Sequence, residues 1–397
     1  MEDFSEEKGK DEKVERMRVC FISHTSGKGG AERALLELID ALKERCVKCY
    51  VVLPAHGPLV EELDKRGITY CILPFKWWMS KKSLKQEQMV KAVLNLITVI
   101  PLALRIEQWK CDVVYTNSIT VCVGALAAKL LRLPHVWHIH EFGYEDFGLV
   151  FDLGLKDSLW LINNYSSICI ANSYAVAQKY KRYINPAKLR VVYQSVSVPE
   201  DVLVGKSVGI MSDRKKCVIV GALHEGKRQE DAIRAIGELV QRGMEVELYV
   251  VGAGDMQYQR YLYDLVTKSG LEGYVKFTGY TENPFQFMLM ADVVLMCSRY
   301  EAFGRVTVEA MKLGKPVIGA RSGGTVELIR DGFNGLLYTP GDYKELAEKI
   351  GYLLEHSDIA RQLGENALQW ATKRFTKDQF GEEILAILEE VRKSKQK

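Results

Sequence analysis

The sequence lacks a hydrophobic run long enough to span a bilayer, which requires about 20 apolar residues. The longest candidate, 93–106, has 14 residues and contains Pro101 and Arg105. The first residues, 1–16, are highly charged and have no apolar core. We therefore expect a disordered tail at 1–16 and no signal peptide.

The chain also has little net charge, and its cysteines do not form a set at metal-binding spacing. A formal net charge of +3 is too small to predict a nucleic-acid partner. Nine cysteines are scattered along the sequence, and an odd count favours reduced thiols and a cytoplasmic location, including the inner face of the membrane. The one C-x-x-C, Cys46 and Cys49, has no second pair at zinc spacing, and no D-x-D occurs. No metal site is expected.

What the sequence does contain is a regular alternation of short apolar runs with longer amphipathic ones. The strand-like runs are 18–23, 49–54, 112–117, 135–140, 167–172, 189–194, 217–222, 246–252, 275–279, 293–298, 316–320 and 335–340. Amphipathic runs such as 30–45 and 229–243 separate them. This alternation predicts parallel sheets with helices on both faces, and ligands bind beyond the carboxyl ends of strands in such sheets.

The alternation falls into two similar halves, 17–198 and 217–375, joined by a segment without clear periodicity at 199–216. The predicted fold class is α/β, with two Rossmann-like, doubly wound parallel-sheet domains that face each other across a cleft. A dinucleotide-dependent dehydrogenase is not favoured, because no G-x-G-x-x-G follows the first strand-like run.

The segment EAFGRVTVE places Glu301 on a strand-to-helix loop and Glu309 further along the helix. The helix is predicted to end at Gly314-Lys315-Pro316, since glycine and proline commonly follow a last helical turn. Unpaired backbone N–H groups from Gly304 to Val306 would attract phosphate. Carboxylates on either side of this helix start suit sugar hydroxyls.

This arrangement resembles the donor site of retaining nucleotide-sugar glycosyltransferases of family 4, which have the GT-B fold. The run 316–342 also resembles the family pattern, and the likeness extends from 17 to about 375. The resemblance implies that Glu309 binds the ribose and Glu301 contacts the sugar ring. It also implies that a C-terminal helix at 376–397 crosses back to the first domain. The main-chain N–H groups expected to hold the sugar and the diphosphate are those of Phe303, Gly304, Arg305 and Val306.

Two loops of the first half carry further candidates. Gly29 and Gly30 open the first long helix and let the backbone approach a phosphate closely, although such a turn can also simply connect a strand to a helix. By resemblance, this loop faces the donor phosphates and the acceptor. His138 and His140 form a histidine-x-histidine pair that lacks a convincing third metal ligand. By resemblance, His140 hydrogen-bonds the donor sugar.

The second half supplies the phosphate-binding cation by resemblance. Lys227 matches the family lysine that contacts the diphosphate, where a cation neutralises the charge of the leaving group. Many relatives have an arginine where this sequence has Ala222, so Arg228 is a candidate for a second cation. By resemblance, the main chain of Tyr280 contacts the nucleobase.

The segment 75–91 contains two adjacent tryptophans, Trp77 and Trp78, among five lysines. Basic residues beside exposed aromatic side chains suit an anionic membrane surface or a lipid-linked acceptor. The segment therefore predicts peripheral membrane contact, and the alternative is a loop followed by a solvated helix face.

The function that the resemblance implies is metal-independent, retaining transfer of a sugar from a nucleotide-diphosphate donor to a glycan, lipid-linked or small-molecule acceptor. The donor is a substrate, and no cofactor is expected. Two alternatives stay open. One is a GT-B protein of different chemistry, either a sugar-nucleotide epimerase or a phosphorylase. The other is a non-catalytic module that binds a nucleotide sugar.

Overall fold

The computed structural model describes residues 16–81, 84–200, 202 and 213–394. Nearly all of the tail predicted at 1–16, and most of the linker predicted at 199–216, lie outside the described residues. The last three positions of the C-terminal helix predicted at 376–397 also lie outside them.

The first domain contains a parallel sheet with the strand order β3-β2-β1-β5-β6-β8-β9. Its strands are β1 (Arg18–Ser23), β2 (Lys48–Leu53), β3 (Thr69–Ile72), β5 (Val113–Asn117), β6 (His135–Ile139), β8 (Ile168–Ala171) and β9 (Leu189–Val191). Short strands β4 (Met79–Ser80) and β7 (Val150–Phe151) pair antiparallel beside it. Most strand residues are buried, as expected for parallel strands covered on both faces.

The first-domain helices connect these strands. They are α1 (Gly30–Glu44), α2 (Pro58–Lys65), α3 (Lys85–Gln108), α4 (Val123–Leu130), α5 (Tyr144–Phe147), α6 (Leu155–Tyr165) and α7 (Tyr174–Tyr180). Helix α1 buries Leu35, Leu38, Ile39 and Leu42, a spacing that places them on one helical face against the sheet.

The second domain repeats this architecture with the order β12-β11-β10-β13-β14-β15, again all parallel. Its strands are β10 (Lys215–Val220), β11 (Val246–Val251), β12 (Val275–Gly279), β13 (Val293–Met296), β14 (Val317–Ala320) and β15 (Leu336–Tyr338). Its helices are α8 (Gln229–Gln241), α9 (Met256–Lys268), α10 (Phe285–Met290), α11 (Arg305–Lys312), α12 (Thr325–Leu328), α13 (Tyr343–Glu355) and α14 (Ser357–Arg374). The predicted fold of two Rossmann-like domains is confirmed.

The last helix, α15 (Lys377–Ser394), packs on the first domain. Phe380, Ile384 and Leu388 are buried in the first-domain core. Gly381 allows the close approach to α1, since a Cβ there would lie 2.7 Å from the Cβ of Ala41. The chain therefore ties both domains together at its end.

The two tryptophans of the segment 75–91 differ in burial: Trp78 is inside the first domain, and Trp77 is half-buried and lines the cavity between the domains. Trp78 is buried, stacks on Trp137 and donates its indole N–H to the carbonyl of Ile119 at 2.7 Å. Trp77 donates to the carbonyl of His24 at 2.9 Å. The prediction of two exposed tryptophans is therefore wrong for Trp78, whereas Trp77 is half-buried with its indole N–H bonded. Membrane contact of the segment stays a prediction.

Candidate functional site

A cavity of about 610 Å³ lies between the two domains, at the carboxyl ends of their strands. In both sheets the order reverses at the first strand, so the cavity sits where ligands bind in such folds. The predicted site residues that line it are Gly29, Gly30, His140, Lys227, Glu301, Phe303, Gly304, Arg305, Val306 and Glu309.

The turn at Gly304 sets the start of helix α11 in the cavity wall. Gly304 has a φ of 100°, which only glycine adopts without strain. Its close neighbours also leave little room, since a Cβ would lie 3.1 Å from Leu328 and 3.3 Å from Glu301. The main-chain N–H of Gly324 donates to the carbonyl of Glu301 at 2.6 Å and holds the loop in place. The helix therefore begins with its free N–H groups beside the cavity.

Glu301 and Lys227 form an ion pair across the cavity floor. Lys227 ends the short 3-10 helix Glu225–Lys227, which follows β10, and Glu301 follows β13. The Nζ atom of Lys227 donates to Oε2 of Glu301 at 2.6 Å. Both side chains are largely but not fully buried. An ammonium group has three N–H donors, so Lys227 can keep this bond and still offer donors to a ligand.

Glu309 is fully buried and lines the same cavity. Arg33 of the first domain brings Nη2 to 2.8 Å from Oε1 of Glu309. Neither carboxylate oxygen accepts a hydrogen bond from the described residues. The contact is therefore one between charges and is poorly aligned for hydrogen bonding. A buried carboxylate with unused acceptor capacity is suited to a ligand that carries hydroxyl groups.

His140 is held by two amide side chains that sequence analysis did not identify. Asn117 Oδ1 lies 2.7 Å from Nε2 of the ring, and Gln194 Nε2 lies 2.6 Å from Nδ1. Because Gln194 Nε2 can only donate, Nδ1 is the acceptor and Nε2 carries the proton. Burial holds the pKa of His140 well below its usual range, so the imidazole is neutral. A bond from this ring to a sugar would have to replace one of these two.

His138 is hydrogen-bonded to a tyrosine and is not part of a metal-binding group among the described residues. Its Nδ1 lies 2.7 Å from the hydroxyl of Tyr115, and burial lowers its pKa to about 3. In the part of the chain that the structure describes, no group of three or more His, Cys, Asp or Glu residues is placed to hold a metal ion.

The glycine turn before α1 brings the first domain close to the second. A Cβ on Gly30 would lie 3.4 Å from the Cδ atom of Arg305, and one on Gly29 would lie 2.6 Å from Glu32. Glu32 is buried and accepts a hydrogen bond from Thr25 at 2.5 Å. The backbone at Gly29 and Gly30 thus forms the cavity wall opposite α11.

Arg305 joins the domains through its side chain. Its Nη2 donates to Glu37 Oε1 at 2.8 Å, and its Nη1 donates to the carbonyl of Ser195 at 2.8 Å. The hydroxyl of Ser195 also donates to Glu37, at 2.7 Å. The adjacent residues Gln194 and Ser195 therefore hold His140, Glu37 and Arg305.

Two predicted residues do not line the cavity. Arg228 directs its guanidinium to the buried carboxylate of Asp231 in two bonds of 2.8 Å, and this pairing raises its pKa. Tyr280 lies at the end of β12 and is 69% exposed. The roles suggested for Arg228 and Tyr280 stay predictions.

Two buried acids in the cavity wall were missed by sequence analysis. Glu141 and Asp146 follow β6, and burial raises the pKa of each, that of Asp146 to about 7. Asp146 Oδ2 accepts from the N–H of Phe142 at 2.8 Å, while Oδ1 has no partner among the described residues. The sequence signal was the acidic run directly after a buried strand.

Two family models match the chain. The one described as Glycosyltransferase Family 4 matches residues 28–198. The one described as Glycosyl transferases group 1 matches residues 205–370. Together they cover most of both domains.

Several known proteins resemble the chain along much of its length. An uncharacterized glycosyltransferase of Methanocaldococcus jannaschii, MJ1607, is 27% identical over 295 residues, covering 70% of this chain and 75% of that protein. N-acetyl-alpha-D-glucosaminyl L-malate synthase of Bacillus anthracis is 28% identical over 221 residues, covering 54% of this chain and 57% of that protein.

Among solved structures, Anabaena Alr3699/HepE in complex with UDP-glucose is 27% identical, with a TM-score of 0.77, and covers 94% of this chain and 100% of that one. Sucrose-phosphate synthase from Thermosynechococcus elongatus is 18% identical, with a TM-score of 0.75, and covers 96% of this chain and 100% of that one. The second likeness concerns the fold alone.

Proposed function

The chain belongs to the family 4 glycosyltransferases of GT-B fold, and we propose that it transfers a sugar from a nucleotide-diphosphate donor to a hydroxyl acceptor with retention of configuration and without a metal ion. The acceptor is a glycan, a lipid-linked molecule or a small molecule. UDP-sugars are the first donors to test, because the similar Anabaena protein was solved in complex with UDP and with UDP-glucose.

One observation carries this proposal: Glu301, Glu309 and Lys227 surround the start of helix α11 in a single cavity. The helix start offers N–H groups and the positive end of a helix dipole to a diphosphate. Lys227 adds a full positive charge on the same side. Together they supply the charge compensation that a metal ion provides in other enzymes.

The two carboxylates interact with different parts of the donor. Glu309, on the helix, accepts hydrogen bonds from ribose hydroxyls once Arg33 withdraws. Glu301, on the loop, lies beside the sugar ring and stabilises the positive charge that grows on it as the bond to the leaving phosphate breaks. Gly304 sets the angle between them, because the backbone turns there with φ of 100°.

In the proposed reaction, the bond between the anomeric carbon and the diphosphate oxygen breaks, and the acceptor oxygen attacks from the same face. The acceptor proton passes to the leaving phosphate oxygen. Lys227 stabilises the developing charge on that oxygen while it retains its bond to Glu301. Closure of the domains, held by Arg305 and Glu37, excludes water that would hydrolyse the donor.

We also propose that the protein works in the cytoplasm at the inner face of the membrane. Its nine cysteines are all free thiols, and most of them are buried. Free, scattered thiols are typical of a reducing compartment. A peripheral location suits a lipid-linked acceptor.

A donor screen by thermal shift, followed by a transfer assay, tests the function. A nucleotide sugar at about 100 times its Kd stabilises the fold by about 2.7 kcal/mol, which should raise the melting temperature by several degrees. We expect one nucleotide class to stand out and the α- or β-configuration of that donor to be kept in the product. Conversion of the donor without an acceptor would indicate an epimerase, and a requirement for inorganic phosphate would indicate a phosphorylase. Binding without turnover for any acceptor would indicate a non-catalytic module.

A further inference from the structure

Helix α3 presents a long apolar face to solvent. By length and composition it is apolar enough to cross a membrane, so the expectation that no segment is long enough to span a bilayer is wrong, yet only 33% of its most apolar part is buried. The apolar side chains on and just before α3 that are at least 39% exposed are Leu84, Met89, Val90, Val93, Leu94, Leu96, Ile97, Ile100 and Leu104. Their spacing of three and four residues places most of them on one side of the helix.

The opposite side of α3 is fixed in the first domain. Asn95 is buried and bonds both the N–H and the carbonyl of Lys76, at 2.8 and 3.0 Å. Thr98 donates to the carbonyl of Pro74 at 2.9 Å, and Leu102 and Ile106 are fully buried in the core. The helix cannot cross a bilayer without losing these contacts. It can, however, lie in a membrane surface with its outer side inserted.

Basic residues flank the apolar face. From 92 to 104 the sequence has no charged residue, so the exposed side is uninterrupted there. The segment 81–110 carries six basic residues and two acidic ones, with lysines concentrated before the apolar stretch and Arg105 and Lys110 after it. An apolar face with basic ends complements the headgroups of an anionic bilayer.

Two neighbouring helices also carry exposed apolar side chains. Leu130 ends α4, which packs on α3, and is 60% exposed. Trp160 lies on α6, which packs on α4, and is also exposed. An exposed tryptophan is typical of the membrane interface. Lys81, four residues before α3 begins, lines the cavity.

We propose that the outer face of α3, from Leu84 to Leu104, docks the first domain on an anionic lipid bilayer. The inserted part is this helix face, and not the tryptophans of the segment 75–91, whose indole N–H groups are bonded within the domain. The bilayer contacts the lysines at the start of α3 and the residues Arg105 and Lys110 at its end. Because this face lies outside the cavity, the docking is independent of the chemistry proposed above.

Vesicle flotation with the full chain tests the docking. Wild type is mixed with phosphatidylglycerol/phosphatidylcholine vesicles and with pure phosphatidylcholine vesicles, at low and high salt. The test variant carries Leu96→Ser, Ile97→Ser, Ile100→Ser and Leu104→Ser. We expect wild type to bind the anionic vesicles and to bind them more weakly at high salt. The affinity of the variant for these vesicles should be at least tenfold lower.

The matched control removes four exposed apolar side chains from the second domain. It carries Met256→Ser, Phe333→Ser, Tyr352→Ser and Leu368→Ser, and it should float like wild type. Circular dichroism and light scattering establish folding and oligomeric state for each protein. The proposal would be overturned if wild type does not bind vesicles, or if both variants lose binding equally. It would also be overturned if wild type is a dimer that binds no vesicles and the α3 variant is a monomer. In that last outcome the face serves a second copy of the chain.

Arg105→Ser with Lys85→Ser provides an independent variant that leaves the apolar side chains in place. It should weaken binding to anionic vesicles and reduce its dependence on salt. Unchanged binding and salt dependence would contradict the assigned orientation of the helix on the bilayer.

Discussion

Arg33 of helix α1 lies with its Nη2 atom 2.8 Å from Oε1 of Glu309 on helix α11, so a cation of the first domain covers the buried carboxylate expected to bind ribose. The two residues belong to opposite walls of the cavity. Glu309 has no hydrogen bond within the described residues, and Arg33 is its charge partner there. In the proposed complex, ribose hydroxyls compete with Arg33 for this carboxylate, and a displaced Arg33 becomes available to another negative group.

Replacement of this contact should tighten nucleotide binding. In Arg33→Gln the carboxylate of Glu309 has no competing cation, and a partly exposed ion pair contributes about 1 kcal/mol. We expect the Kd for the nucleoside diphosphate of the preferred donor to fall about three- to tenfold by calorimetry. Arg242→Gln, an exposed change on the second domain, is the control. A weaker affinity in Arg33→Gln would show that Arg33 contacts the bound diphosphate more than it competes for Glu309.

Glu309 and Glu301 should separate in steady-state kinetics. Glu309→Gln weakens contacts to a ribose that does not react, so it destabilises the bound ground state and the transition state by the same amount. KM for the donor should therefore rise more than kcat falls. Glu301→Gln removes a charge beside the ring that becomes positive, and kcat should fall by about 10²–10³. Near-normal turnover in Glu301→Gln, or a pure kcat defect in Glu309→Gln, would show that the roles are wrongly assigned. Circular dichroism checks the fold.

The strands of this fold were largely predictable because buried parallel strands are continuous apolar runs. Strands β1 and β12 have the predicted bounds, the ten other predicted strands differ at one or both ends, and the two-residue strands β4 and β7 were not predicted. Strand β3 (Thr69–Ile72) was missed, since it is a four-residue edge strand that is only partly buried. A short, half-exposed segment carries little periodicity.

The parts of the site that lie on loops directly after predicted strands could be predicted from the sequence, and contacts between distant residues could not. Loops after β1, β6, β10 and β13 converge at the cavity because parallel strands share a carboxyl edge. The contact between Arg305 and Glu37 joins residues 268 positions apart and has no local signal. The solvent exposure of a side chain also has no local signal. The lysines around Trp77 and Trp78 predicted surface aromatics, yet both indole N–H groups are bonded within the domain.

The pair of Arg305 and Glu37 should stabilise the association of the domains. Both side chains are mostly buried, and removal of one partner leaves the other charge without compensation. Glu37→Met alone should lower the free energy of unfolding by about 2–4 kcal/mol, and the double change with Arg305→Met should cost less than the sum of the single changes. Urea unfolding of all four proteins in the cycle measures this. Strict additivity would contradict a direct coupling of the two side chains.

Transfer should persist in excess EDTA. The charge of the diphosphate is expected to be met by Lys227 and the start of α11, and no metal-binding group occurs among the described residues. We expect the initial rate to stay within about twofold of the rate without chelator, since the helix start and the lysine do not depend on an ion. Strict dependence on added Mn²⁺ or Mg²⁺ would overturn the metal-free mechanism.

Asp146 should make stability depend on pH. Burial raises its pKa to about 7 in the folded protein, whereas an unfolded aspartate titrates near 3.9. Between these values the folded state binds more protons than the unfolded state, so this residue lowers stability as the pH rises from about 4 to 7. His138 and His140, whose pKa values are lowered by burial, act in the opposite direction but are the same in wild type and variant.

Asp146→Asn removes this titration and retains an oxygen for the N–H of Phe142. The free energy of unfolding of the variant, relative to wild type, should therefore rise by about 2–4 kcal/mol between pH 4 and pH 7.5. Urea unfolding at five or so pH values measures the difference. Asp157→Asn, an exposed change on α6, is the control and should leave the pH profile unchanged. A difference between wild type and Asp146→Asn that does not vary with pH would show that Asp146 stays ionised in the cavity wall.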